Sequence, residues 1–166
     1  DKIEFIEADM GIESAARDAV KGIDVVLHQG ALPSVPKSVD DPAATHRHCV
    51  DATFTMLMVA RDAGVKRFVY AASSSAYGDT PTQPKVESML TNPLSPYAVA
   101  KLVGEYYCSV FYKVYGLETI GLRYFNVFGP YQDPTSQYAA AIPAFVTSIL
   151  KDIQPTVYGD GEQSRD

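Results

Sequence analysis

The stretch SPYAVAK, residues 95–101, places Tyr97 and Lys101 four positions apart. A free phenol titrates near about pH 10 and a free ammonium near about 10.4, so neither is a base at neutral pH. At i and i+4 of a helix the two side chains share one face. A cation beside a phenol favours the phenolate, and a phenolate can take a proton from an alcohol. A second hydroxyl would polarise the same alcohol, and the run SSS at residues 73–75 offers three, 22 to 24 residues upstream of Tyr97. The competing reading is a solvated helix in which this spacing arises by chance.

These groups act together only if the chain brings them together. Ser95 suits an N-cap and Pro96 the first helical position, so the Tyr-Lys helix is expected to start at the site. Strand-like and helix-like stretches alternate along the chain. KIEFIEAD (2–9) reads as a strand, and GIESAARDAVKG (11–22) as a helix closed by Gly22. IDVVLHQGA (23–31) reads as a fully buried parallel strand. A long helix is expected from about Pro42 to Ala63, ending at Gly64. Then come the strand KRFVYAASSS (66–75), a proline-studded loop, the Tyr-Lys helix, the strand ETIGLRYFNVFG (118–129) and the helix AAAIPAFVTSILKD (139–152). Such alternation predicts an α/β protein with a doubly wound parallel sheet, Rossmann-like, whose ligands sit outside the carboxyl ends of the strands. Asp9, the HQGA of 28–31, the serines of 73–75 and the YFN of 124–126 all fall at those ends.

Bulk properties narrow the function classes. A net charge of -6 on 166 residues gives no basis for affinity to nucleic acid or anionic membrane. No apolar run is long enough to span a bilayer. Cys49 and Cys108 have neither zinc nor redox-motif spacing, which points to a reducing cytoplasm. His28, His46 and His48 lack metal partners at useful spacing and read as structural, so no metal is expected. A chain opening at Asp1 without methionine reads as a piece of a longer polypeptide.

The stretches YAASSSAYGD, SPYAVAKLVGEYY, LRYFNVFGP and VYGDGEQSRD, in that order, resemble the extended short-chain dehydrogenase/reductase family. Within it they are most similar to the nucleotide-sugar 4-epimerases that act on UDP-glucose and UDP-N-acetylglucosamine. The resemblance implies NAD as cofactor, a UDP-hexose as substrate and a transient 4-keto sugar. Counting back four residues from Tyr77, it implies Ser73 as the catalytic hydroxyl, Tyr97 as the base and Lys101 as the group that lowers its pKa and binds the nicotinamide ribose. On the cofactor side it implies Asp9, Met10, Gln29, Gly30, Ala31 and Phe125, alongside Tyr97 and Lys101. An Asp9 that caps the next helix, and a Tyr124 and Phe125 that serve the core, are the competing readings. On the substrate side it implies Ser34, Ser73, Ser74, Ser75, Tyr97, Asn126, Ala140, Tyr158 and Arg165.

The chain departs from the pattern in places. Pro33 stands where galactose epimerases often carry lysine, and Cys49 where an asparagine usually lies near the cofactor. No Gly-rich turn for the pyrophosphate stands anywhere in the chain. The first strand–helix–strand unit is therefore expected before Asp1, and most of the substrate lobe after Asp166. Residues 1–135 would then be the later part of an NAD-binding domain and 136–166 the start of the lobe, and the 166-residue chain alone is expected to bind NAD poorly and to be inactive.

Two other functions compete. Nucleotide-sugar 4,6-dehydratases, like other oxidoreductases of the family, share the Tyr-Lys pair, but dehydratases carry Asp and Glu directly after the catalytic hydroxyl. Here those positions are Ser74 and Ser75. A non-catalytic dinucleotide sensor would show decay of the Ser-Tyr-Lys set, which is intact. Adjacent apolar pairs from Ala98–Val99 to Val114–Tyr115 make the apolar arc of the helix wider than one sheet face requires. They suggest a homodimer through the helices near 42–63 and 96–115, with cover by other parts of the same polypeptide as the alternative.

Overall fold

The computed structural model describes residues 3–132, 141–157 and 159–162. Ala140, Tyr158 and Arg165, three of the expected substrate contacts, lie outside the described residues. The described chain forms two compact units, one of residues 3–81 and 88–124, the other of 82–87 and the described residues after 124.

The larger unit is α/β, with the Rossmann-like arrangement expected. Its sheet has three strands, all parallel, in the order β1 (Val25–His28), β2 (Arg67–Ser73), β3 (Glu118–Tyr124). Val26, Phe68, Tyr70 and Ala72 pack with Ala16 of α1 (Glu13–Ala19), with Met56, Leu57, Val59 and Ala60 of α4 (Ala52–Asp62), and with Cys108 and Phe111 of α5 (Pro96–Tyr115). Those helices cover one face of the sheet. On the other face Leu27 is 66% exposed and Ile120 and Leu122 are also exposed. Continuous burial of β1 is therefore not what the structure shows; its residues alternate between out and in. Residues 3–7, expected as a strand, have no ladder partner among the described residues, and Ile3 and Phe5 are exposed.

The long helix before Gly64 forms, but in three pieces. α3 (Pro42–His46) passes into a π-helical turn at Arg47–Asp51 and then into α4. Asp41 caps α3 by accepting from the Ala44 N–H at 2.8 Å, and Gly64 ends α4 at φ +72°. Ahead of it, α2 (Val35–Asp40) is capped by Ser34, whose hydroxyl accepts from the Lys37 N–H at 3.0 Å.

α5 follows its sequence signals closely. Ser95 accepts from the Ala98 N–H at 3.1 Å, Pro96 occupies the first turn, and Gly116 closes the helix at φ +74°. Between these ends Gly104 lets α5 approach β2: a Cβ there would run into the Tyr70 ring and hydroxyl. Tyr70 is fully buried and donates to the Lys101 carbonyl at 3.2 Å, so it has no room to retreat. Gly104→Ala is expected to cost about 1–3 kcal/mol, read from urea unfolding, because the core must move to admit one methyl group. In the smaller unit, α6 spans Ala141–Leu150, and the turn after it closes through the Ile153 N–H donating to the Ser148 carbonyl at 2.9 Å.

Candidate active site

β2 ends in Ser73, and the chain turns at once into a short 3-10 helix, Ser74–Tyr77. Ser73 caps that turn: its oxygen accepts from the Ser75 N–H at 3.2 Å and from the Ser75 hydroxyl at 2.8 Å. The first two turns of α5 lie beside this strand end. The Tyr97 phenol is half-buried beside Ser73, whose hydroxyl works against the effect of burial on it. Lys101, one turn on, is 3% exposed and donates from Nζ to the Ala71 carbonyl at 2.8 Å. Its ammonium lies 5.1 Å from the centre of the Tyr70 ring and 6.0 Å from that of Tyr97, within reach of the π-faces. Ser73, Tyr97 and Lys101 thus lie near one another at the carboxyl end of the central strand.

The electrostatics differ from the expectation in one respect. Burial holds the Tyr97 phenol above its ordinary value, and the group that works against burial is the Ser73 hydroxyl. Burial pushes the Lys101 ammonium below its ordinary value. The i,i+4 spacing puts the cation on the right face, yet its Nζ is drawn to the strand carbonyl beneath it, so desolvation dominates the phenol.

A clamp not anticipated from the sequence holds this arrangement. Arg123 of β3 makes paired hydrogen bonds to Glu105 of α5, with Nε–Oε1 at 2.9 Å and Nη2–Oε2 at 2.8 Å. Its guanidinium also stacks 4.6 Å from the centre of the Tyr77 ring. One planar cation therefore ties together β3, the helix bearing Tyr97 and the turn bearing the serines.

A cleft of about 140 Å3 lies among Asp9, Met10, Ala31, Leu32, His48 and Ala52. Three of these were expected on the cofactor side; Leu32, His48 and Ala52 were not. Ala31 and Leu32 pack in the same apolar cluster as Cys49, Val50, Ala100 and Tyr97, which joins the cleft to the phenol. Asp9 lines the cleft, and one of its carboxylate oxygens accepts from the Gly11 N–H at 2.8 Å; it does not cap α1, whose N-cap Ile12 has no side-chain hydrogen bond. A Cβ at Gly30 would meet the sulfur and methyl of Met10, the movable end of that side chain. Gln29 is exposed, with its amide 3.5 Å from the Tyr124 hydroxyl. Phe125 and Asn126 belong to the smaller unit.

The three histidines separate by environment. Thr53 donates to the Cys49 carbonyl at 2.7 Å, so its oxygen accepts from His28 Nε2 at 2.9 Å. Burial first, and Lys101 second, lower the His28 imidazole to about 4, which keeps it neutral and unfit as a competing base near pH 7. His46 is exposed near Asp51, and His48, within the π turn, lines the cleft. Among the described residues no group of three or more His, Cys, Asp or Glu side chains is placed to hold a metal ion.

The whole chain, residues 1–166, matches the NAD dependent epimerase/dehydratase family. The chain belongs to this family. It is 36% identical over its full length to a UDP-glucose 4-epimerase of Mycolicibacterium smegmatis, covering 53% of that protein. Among solved structures it is similar to a UDP-N-acetylglucosamine 4-epimerase from Methanobrevibacter ruminantium in complex with UDP-N-acetylmuramic acid. That likeness has 42% identity and a TM-score of 0.91, and covers 97% of this chain and 52% of that one. It is also similar to a Thermus thermophilus UDP-glucose 4-epimerase in complex with NAD, with 32% identity, a TM-score of 0.83, and coverage of 91% and 50% respectively. The chain spans about half the length of the relatives it matches.

The cofactor of this epimerase/dehydratase family is NAD. The residues present suit it. A carboxylate and a thioether flank an open cleft at the edge of the sheet, small side chains follow β1, and a phenol and an ammonium stand at the end of β2.

Proposed function

We propose that the full-length polypeptide carrying this chain interconverts the C4 epimers of a UDP-hexose, either UDP-glucose and UDP-galactose or their N-acetylated counterparts. The observation that carries this reading is the convergence of Ser73, Tyr97 and Lys101 at one strand end, beside a cleft lined by Asp9, Met10 and Ala31. Bound NAD supplies an acceptor for the C4 hydride and then its donor. The ionised Tyr97 takes the proton of the sugar 4-hydroxyl as C4 is oxidised, and returns it when the keto sugar is reduced on its other face. Ser73 donates to the same sugar oxygen, and Lys101 supports the charge on Tyr97 and contacts the cofactor ribose. Ser34, Ser74, Ser75, Asn126, Ala140, Tyr158 and Arg165 are assigned to the nucleotide-sugar, and Gln29, Gly30 and Phe125 to the dinucleotide. In this reading residues 1–135 serve NAD and 136–166 open the substrate lobe. The N-acetylated reading is supported by the 42% identity to a UDP-N-acetylglucosamine 4-epimerase.

Ser74 and Ser75 favour epimerisation over 4,6-dehydration, because a hydroxyl cannot do the acid–base work of the carboxyls that dehydration of C5–C6 needs. The test is to incubate the full-length protein with UDP-glucose and with UDP-N-acetylglucosamine and resolve the C4 epimers. A dehydrated 4-keto product as the sole outcome would overturn the reading. The protein is assigned to the cytoplasm on its two free cysteines, both buried. No helix among the described residues is long and apolar enough to cross a membrane.

The same reading includes a homodimer. Along α5 Ala98, Leu102 and Phe111 are buried, whereas Val99, Tyr106, Val110, Val114 and Tyr115 are exposed. Tyr106, 62% exposed, stands near the middle of that stripe. Two such stripes from α5, with neighbouring α4, are suited to a four-helix contact. Replacing both Tyr106 and Val110 by Glu is expected to shift the full-length protein from dimer to monomer in analytical ultracentrifugation with its circular dichroism retained.

A further inference from the structure

We propose that Tyr70 is a positioning residue whose ring holds the Lys101 ammonium charged and in place: the ring centre lies 5.1 Å from Nζ, and the Tyr70 hydroxyl donates to the Lys101 carbonyl at 3.2 Å. This rests on the epimerase reading above, in which Lys101 must stay cationic to support Tyr97. An ammonium has three hydrogens to place. Among the described residues the Ala71 carbonyl, at 2.8 Å, accepts one of them, and Lys101 is 3% exposed. A cation held out of water with so few partners loses its proton more readily. No unpaired anion among the described residues stands beside it. On α5, the Tyr97 ring centre is 6.0 Å away and Glu105 is taken by Arg123. On β1, His28 is neutral near pH 7, and on the π turn Cys49 is a buried free thiol. The face of Tyr70 supplies the missing attraction, because a ring quadrupole favours a cation over it. It takes up no N–H in a directional bond, so the ammonium keeps hydrogens for the phenolate and the cofactor ribose.

The core fixes the ring where it is. Tyr70 precedes Ala71 in the central strand, so the π-face and the carbonyl reach Nζ from neighbouring residues. Its side chain is fully buried. His28 stacks on it with 5.9 Å between ring centres, and Gly104 makes room for it, since a Cβ there would enter the ring. Beyond the ring the hydroxyl reaches the backbone of Lys101 itself. One tyrosine therefore holds both ends of the same lysine, the carbonyl in the helix and the ammonium at its tip. The Ala71 bond sets the direction of Nζ; the ring adds an attraction that exists only while Nζ is charged.

The test replaces Tyr70 in the full-length protein by Phe and by phenylalanines bearing one, two and three ring fluorines. Fluorine drains the π-face and leaves the shape of the ring nearly unchanged, so the core still packs. Ionisation of Lys101 is read from the pH dependence of urea unfolding, each variant against its own Lys101→Met counterpart, which isolates the lysine and requires no turnover. Tyr70→Phe keeps the face and should leave the Lys101 transition in place. Each added fluorine should move it to lower pH, by about half a unit to one and a half units over the series, the worth of one cation–π contact. The alkaline limb of kcat should move down with it, with KM for the UDP-hexose unchanged. A transition that stays fixed across the fluorinated series would show that the ring does not hold the charge, and would overturn the proposal. So would a displacement already complete in Tyr70→Phe, which would trace the effect to the hydroxyl. A protein that turns over no UDP-hexose would sink the proposed function, while the unfolding titration would still decide whether Tyr70 governs Lys101.

Discussion

Tyr97→Phe is expected to lower kcat of the full-length protein by about 10²–10⁴, the usual contribution of a positioned acid–base group, with NAD and UDP binding retained. The substitution removes one oxygen from a half-buried ring and leaves its apolar contacts with Cys49, Val50 and Ala100 in place. The pH dependence carries the sharper signature. Because burial raises the phenol above its usual value, only a minor fraction is ionised at neutral pH, and activity should climb as pH rises towards that ionisation. The residual activity of the variant should lose this climb. Stability moves the opposite way. A phenol whose folded pKa exceeds its unfolded one contributes stability that is fully present below about pH 10 and lost as pH rises through the folded value. Tyr97→Phe should therefore lose less stability above pH 10 than the parent does in urea unfolding. Normal turnover in this variant would remove the assigned base.

Lys101→Met is expected to separate activity from stability. Turnover should fall by at least about 100-fold, because the phenolate loses its supporting cation. Stability at pH 7 should stay within about 1 kcal/mol of the parent or exceed it. Two effects oppose each other there. The Ala71 carbonyl loses a 2.8 Å hydrogen bond, worth about 1 kcal/mol. Against that, an ammonium 3% exposed is no longer held out of water, and an apolar side chain of similar volume commonly matches or betters a buried ion. A lysine held below its usual value costs stability while protonated, and the parent should gain stability as pH rises from the folded value towards about 10.5. The Met variant should show no such gain. A variant that unfolds several kcal/mol more easily at pH 7 would identify Lys101 as a structural residue.

The oligomer and packing predictions rest on the same helix. α5 presents the catalytic pair at its first turns, Gly104 against the sheet at its middle, and an apolar stripe outward along its length. The catalytic pair and Gly104 share the face turned to the sheet and the stripe lies on the opposite one, so variants at Tyr106 or Val110 should change association without disturbing Tyr97 or Lys101.

What the sequence alone determined is local or periodic. The alternation of elements, the Ser95 cap with Pro96, the glycines closing helices at Gly64 and Gly116, and the serines at the end of β2 all depend on neighbours within a few residues. The Tyr97–Lys101 spacing is of this kind, and parallel pairing of β2 with β3 follows from the helix that must cross between them. The tertiary structure decided which force governs each group. Whether Lys101 or Ser73 acts on the phenol depends on where Nζ finds an acceptor, and that acceptor is a carbonyl 30 residues away on another element. The Arg123–Glu105–Tyr77 clamp joins three segments that no spacing rule relates. His48, which lines the cleft, sits in a π turn, a departure that a 3.6-residue period does not encode. The alternating exposure of β1 likewise reflects which faces are covered, and covering is a property of the packed chain rather than of the strand.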